Sequence, residues 1–173
     1  MTWQPFNNPI PSHNLYQIEF DPIRRDNIYI GTANIGLIKS SDGGLTWERI
    51  TTAITRNGYT LDLELDSLGN IYVSFLGVGL FYSNDGGNSW QHLTDNYPGG
   101  SYYIDLDIKD ERLIASGQMG GALMFYEDEN WRRIDQGIPL DSGLYVTARF
   151  DDNNQTIYAG THYYLDGGFF MTE

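Results

Sequence analysis

No cysteine occurs among the 173 residues, which excludes disulfides and thiolate metal sites. Basic residues are scarce as well: ten Lys and Arg stand against 23 Asp and Glu, for a formal net charge of −13. That field repels nucleic-acid phosphate and anionic membranes, and leaves cations, basic proteins and neutral sugars as partners to consider. The longest apolar stretch, IYVSFLGVGLFY at 71–82, is too short for a membrane helix and is broken by glycines. The opening MTWQPFNNPIPSH lacks a basic run followed by an apolar core, so it does not read as a signal peptide. The expectation is a cytoplasmic protein, or a mature or excised piece of an exported one. Motifs of common enzymes are missing: no Gly-x-Ser-x-Gly elbow, no Gly-x-x-x-x-Gly-Lys phosphate loop, no His-Glu-x-x-His pair.

What the chain holds instead is tyrosine (13) and glycine (20), a mix that suits strands and turns. SSDGGLTWERI at 40–50 and SNDGGNSWQHL at 83–93 carry two copies of a box, Ser-x-Asp-x-Gly-x-(Thr/Ser)-Trp, 43 residues apart. A third tryptophan follows at Trp131, behind YEDENW, where the other box residues are gone. The boxes mark a longer repeat. YQIEFDPIRRDNIYIGTANIGLIKSSDGGLTWERI from Tyr16 aligns with TLDLELDSLGNIYVSFLGVGLFYSNDGGNSWQHL from Thr60. Two more copies start at Tyr103 and Tyr145. Each copy holds short runs of β character separated by Gly, Asp and Asn turns, and no amphipathic helical run competes. Repeats of about 40–45 residues with four strands predict an all-β propeller of four-stranded antiparallel blades. The units are 14–50, 59–93, 101–134, and 144–173 together with 3–6.

The fourth copy stops at FFMTE, which aligns with LIKSS, and the chain opens with MTWQPF, which aligns with LTWERI. This phase predicts that an N-terminal strand at Trp3–Phe6 completes the last blade beside Phe169–Thr172. It fits one four-bladed ring, or a head-to-tail homodimer closing an eight-bladed ring.

The boxes resemble the Asp-box (BNR) repeats of sialidases, sortilin-type receptors, xyloglucan-hydrolysing glycosidases and photosystem assembly-factor propellers. The resemblance runs through all four units and implies the propeller scaffold. It implies no single activity, because those families share the box and differ in chemistry. This chain lacks the Phe-Arg-Ile-Pro segment of the sialidases and has too few repeats for their usual six blades.

Ser40, Asp42, Gly44 and Trp47, with Ser83, Asp85, Gly87 and Trp90, are therefore expected to be structural. Each Asp accepts hydrogen bonds within its own turn, each Gly supplies a left-handed position, and each indole packs beneath its hairpin. No catalytic residue is assigned. The expected function is a non-catalytic module that binds a glycan or a protein segment on the face opposite the boxes. Candidate contacts there are His162, Tyr163, Tyr164 and Asp166 in the loop THYYLDGG, with Tyr59, Tyr102, Arg56 and Gln118. The alternatives are a fragment of a carbohydrate-active enzyme, glycoside hydrolase or sialidase-like, and a structural or engineered propeller fragment with no ligand. Along the first strands, Gln17, Asp62, Asp105 and Thr147 form one axial tier, and Glu19, Glu64, Asp107 and Arg149 the next. Glu19, Glu64 and Asp107 are candidate ligands for Ca²⁺ in a central channel; the alternative is a hydrated channel in which Arg149 pairs with a neighbouring acid. His13, His92 and His162 fall on different strand positions and form no metal cluster. Asn154-Gln155-Thr156 is a lone glycosylation sequon.

Overall fold

The computed structural model describes residues 2–3, 14–51, 54, 58–94, 103–117, 123–138, 145–153, 155–162 and 168–172. The described residues form only strands and turns. β1 (Leu15–Phe20), β2 (Ile28–Thr32), β3 (Leu37–Ser40) and β4 (Glu48–Arg49) make the first antiparallel sheet, in sequence order. β5 (Thr60–Leu65), β6 (Ile71–Phe75), β7 (Gly79–Ser83) and β8 (Gln91–His92) make the second. β9 (Tyr103–Lys109), β10 (Arg112–Gly117), β11 (Leu123–Glu127) and β12 (Asn130–Arg133) make the third. The fourth has three strands, β13 (Tyr145–Phe150), β14 (Ile157–His162) and β15 (Gly168–Met171). The segment expected to add a fourth strand there falls mostly outside the described residues. Trp3, which is described, is fully exposed, so its ring does not pack as the half-buried rings of Trp47, Trp90 and Trp131 do.

Three of the first-to-second-strand turns are closed by one aspartate each. Asp21 accepts from the Ile23 and Arg24 N–H groups, Asp66 from Leu68 and Asn70, and Asp151 from Gln155 and Thr156. The third sheet departs from this plan. Lys109 pairs directly with Arg112, and Glu127 with Asn130, so its first and last hairpins each turn on two residues. The turn residues Asp110, Glu111, Asp128 and Glu129 all take φ between 49° and 63°, as mirror-image hairpin turns demand.

Period-two alternation gives each sheet two apolar faces, and successive sheets bury them against each other. Tyr29 and Leu37 of the first sheet pack on Leu63, Ile71 and Val73 of the second. Tyr72, Leu80 and Leu93 meet Leu106, Leu113 and Ala115, and Ile114, Leu123 and Phe125 meet Ala148 and Ala159. The tryptophans tie these interfaces together. Trp90 Nε1–H donates to the carbonyl of Ile50 in the preceding sheet (3.2 Å) as well as to Gly87 in its own turn (3.1 Å). Trp131 Nε1–H donates to Leu93 of the preceding sheet (2.8 Å). Trp131 thus has a reason to persist when the rest of its box has gone.

Among the described residues the row of sheets is open at both ends. Leu63, Leu106 and Ala148 are buried, yet Ile18, at the same position in β1, is 54% exposed. Leu37, Leu80 and Leu123 are likewise buried, while Phe169, their counterpart in β15, is 74% exposed. Among the described residues no sheet hydrogen bond joins the fourth sheet to the first, and no helix is long and apolar enough to cross a membrane.

Trp131→Phe keeps an aromatic ring but removes the donor to Leu93 and part of the packed indole, so it should lower unfolding free energy by at least about 1 kcal/mol. Urea denaturation followed by circular dichroism tests this. An unchanged midpoint would show that the inter-sheet bond carries no stability.

Candidate functional site

The two boxes have one geometry. Ser40 Oγ donates to Asp42 Oδ1 (2.7 Å) and accepts from Gly44 N–H (2.8 Å). Asp42 then takes the Thr46 N–H on Oδ1 (2.8 Å) and the Thr46 hydroxyl on Oδ2 (2.6 Å). Ser83, Asp85, Gly87 and Ser89 repeat every one of these bonds. The bonds from Thr46 and Ser40 hold the Asp42 carboxyl down at about 2, and those from Ser89 and Ser83 do the same for Asp85. A carboxylate so fully engaged inside its turn offers little to a ligand. Gly87 is also needed for space, since a Cβ there would collide with the Ile50 side chain.

The axial tiers are built differently from an open ring of acids. Asp62 is buried, and accepts from Gln17 Nε2 of the preceding sheet (2.7 Å) and from the backbone N–H of Leu106 in the following one (2.7 Å). Asp105 accepts both guanidinium nitrogens of Arg149 (2.6 and 2.8 Å), the Thr147 hydroxyl (2.6 Å) and Ala148 N–H (3.3 Å). Asp107 Oδ2 accepts Phe150 N–H (2.6 Å). Asp62, Asp105 and Asp107 are therefore joints between sheets. Register shifts at Leu15/Gln17 and Thr60/Asp62 aim the two side chains that open this chain.

Glu19 and Glu64 lie beside these joints. Burial pushes the Glu64 carboxyl up to about 8, helped by the charges of Asp62, Glu19 and Asp107 and opposed by Arg149. Burial and Asp62 raise Glu19 too, and burial lifts Asp62 to about 6. Among the described residues no group of three or more His, Asp or Glu is gathered to hold a metal ion. Glu19, Glu64 and Asp107, the candidates for Ca²⁺, do not form such a group among the described residues.

On the face opposite the boxes, Tyr59 stands beside Tyr16 of the first sheet. Their ring centroids are 5.0 Å apart, tilted by 47°, and their hydroxyls are hydrogen-bonded. Tyr16 is a contact that the sequence reading did not single out; its place near the start of a first strand, at the same end of its blade as Tyr59, was the available signal. His162 ends β14, and the pair Thr161 and Gly168 closes the base of its loop through the Thr161 hydroxyl and Gly168 N–H (2.9 Å). Arg56, Tyr102, Gln118, Tyr163, Tyr164 and Asp166 lie outside the described residues.

No family model and no curated protein sequence matches this chain. Solved structures do match. The GH74 xyloglucanase from Xanthomonas campestris superposes with a TM-score of 0.74 at 20% identity, over 92% of this chain and 28% of its own. YCF48 from Cyanidioschyzon merolae gives 0.65 at 15%, over 94% and 57%, and YCF48 bound to D1 peptide gives 0.58 at 14%, over 83% and 47%. The nidogen/laminin complex gives 0.61 at 14%, over 86% and 60%. This chain spans less than a third of the xyloglucanase and less than two thirds of the others. Likeness at this level shows the fold: the four sheets are blades of a β-propeller.

A carboxyl raised on folding favours the folded state below its unfolded value and loses that contribution as pH rises through its folded value. For Glu64 the window runs from 4.5 to about 8. Glu64→Gln should therefore raise the melting temperature at pH 8, by about 2–4 °C for each kcal/mol relieved, and flatten the decline between pH 5 and 8. Differential scanning calorimetry reads both. A Gln variant as pH-sensitive as the parent would place the strain elsewhere.

Proposed function

We propose that this chain is a non-catalytic propeller module, of the Asp-box kind its boxes resemble, that binds a glycan or a protein segment on the face opposite the boxes. The observation that carries the reading is the Tyr16–Tyr59 pair, two rings from adjacent blades presented together on that face. Aromatic faces with short polar neighbours suit sugars and extended peptides alike. The acids that catalysis would need are engaged instead: Asp42 and Asp85 inside their turns, Asp62, Asp105 and Asp107 between blades. Neighbours in fold include YCF48 bound to D1 peptide and a nidogen/laminin complex, both protein-recognition assemblies.

One observation favours a second reading, a fragment of a carbohydrate-active enzyme. Glu64 is held protonated near neutral pH beside Glu19, as a general acid must be. A chromogenic-glycoside panel separates the two: turnover that disappears in Glu64→Gln establishes the enzyme. Glycan and peptide arrays test the module. Tyr16→Ala with Tyr59→Ala, or Tyr163→Ala with Tyr164→Ala, should weaken the ligand found there at least about tenfold, 1.4 kcal/mol, with the fold intact. Asp42→Ala should lower the melting temperature and leave the folded fraction's affinity alone. Lost affinity at unchanged stability in Asp42→Ala would put the function on the wrong face.

We further propose that the open faces meet head to tail between two copies, the N-terminal strand of each completing the other's last blade. The pairing of Phe169's face with Ile18's would repeat an interface the chain already makes three times internally. Light scattering should give twice 19.7 kDa, falling to a single chain in Ile18→Lys. A single-chain mass for the parent protein at micromolar concentration overturns this assembly.

A further inference from the structure

On the face that carries the boxes, a cleft of about 560 Å³ separates the second and third blades. The matching hollow between the first and second blades is about 170 Å³. The difference has a structural cause. In the first interface the box turn of the second blade fills the space: Lys39 Nζ donates to Gly86 O (3.1 Å), and Gly87 abuts Ile50. The third blade has two-residue turns at both places, and Tyr82 occupies the register position of Lys39.

Tyr72, Tyr82 and Tyr126 line the cleft, with the Tyr72 and Tyr82 centroids 5.0 Å apart and tilted by 52°. Around them stand the carboxylates of Asp110, Glu111, Glu127, Asp128 and Glu129. The four residues at positive φ outside glycine, among those described, are all in this rim. Arg112 also lines the cleft, and its guanidinium lies 5.2 Å from the Phe150 ring of the fourth blade.

A separate observation marks the floor. Tyr72 is only 6% exposed, yet among the described residues its hydroxyl has no hydrogen-bond partner. That hydroxyl is not among the fully enclosed unpaired atoms, so its open side is the cleft it lines. Burial, with the charges of Asp66, Tyr82 and Glu111, pushes the phenol well above its ordinary range, so it stays neutral and keeps its lone pairs for a donor. A buried polar group without a partner costs stability, and a ligand that supplies the partner recovers it.

We propose that this cleft binds a lysine or arginine side chain carried by a basic protein segment. The cationic N–H donates to Tyr72 Oη, the tyrosine rings flank the charge, and the rim carboxylates neutralise it. The volume takes a residue together with its chain neighbours. This site lies on the other face from the Tyr16–Tyr59 pair and does not depend on it.

Isothermal titration with an octapeptide of alternating Lys and Gly, its Nε-acetylated form, and spermine tests the assignment. The lysine peptide should bind at least about tenfold more tightly than the acetylated one. Tyr72→Phe changes no charge and should weaken the peptide at least about threefold without lowering the melting temperature, because it removes an unpaired buried hydroxyl. Asp128→Asn with Glu129→Gln should weaken it at least about tenfold, with Asn tolerated at positive φ. Tyr59→Ala should leave this binding untouched. Unchanged affinity in both cleft variants would mean that the peptide rides on the general acidic field, and it overturns the site. Spermine binding as tightly as the peptide overturns the protein-segment occupant. A destabilised Tyr72→Phe counts against the proposal too, since its hydroxyl would then have an internal partner.

Discussion

The first strands of the third and fourth blades turn backbone N–H groups toward the blade before them, and these need acceptors once the blades pack together. Asp62 supplies one to Leu106 (2.7 Å), Asp105 to Ala148 (3.3 Å) and Asp107 to Phe150 (2.6 Å). Much of the rest follows from that requirement. Carboxylates have to stand close together near the axis, so burial, and after it their mutual repulsion, holds Glu64 and Glu19 toward the protonated form. Arg149 is the compensating charge, fixed on Asp105 by two bonds. A blade that sits at the first position, with Gln17 in place of the acid, donates to Asp62 instead of adding another charge.

A second set of ties runs along the box face and explains which residues can drift. Each box aspartate serves its own turn, whereas Trp90 and Trp131 serve the neighbouring blade through Ile50 and Leu93. A turn can be replaced by a shorter one that closes itself, as Asp128–Glu129 does; an inter-blade donor has no such substitute. The cost of the shorter turns is space, and the cleft beside Tyr72 is where it opens. One local change in the third repeat therefore leaves the architecture intact and gives one inter-blade groove its own shape and charge.

Among the described residues the same repetition leaves the two ends of the blade row without a partner. Ile18 and Phe169 occupy positions that are buried in every internal interface, and both are exposed. Paired apolar faces and an unpaired strand edge are the usual substrates for association. The faces are of unlike kind, one from the first strand and one from the third, so their contact would be heterologous.

The sequence by itself determined the repeat and the strand order within each unit. Spacing sets these: alternation in TLDLEL aims Leu63 at a neighbour, and Ser-x-Asp-x-Gly can close only a local turn. Strand-level reading also found the axial tiers, including Arg149 near its acids. What it missed were contacts between units, because residues that share a tier in alignment need not face one another in space. It offered Glu19, Glu64 and Asp107 as candidate cation ligands beside a channel in which Arg149 pairs with an acid; the structure pairs Arg149 with Asp105 and gives Asp107 to a backbone N–H. It passed over Tyr72, Tyr82 and Tyr126, which lie on the sequence as ordinary strand residues. Only the packing of one blade on the next, and the loss of the turn that fills the space elsewhere, turns those three rings into one surface.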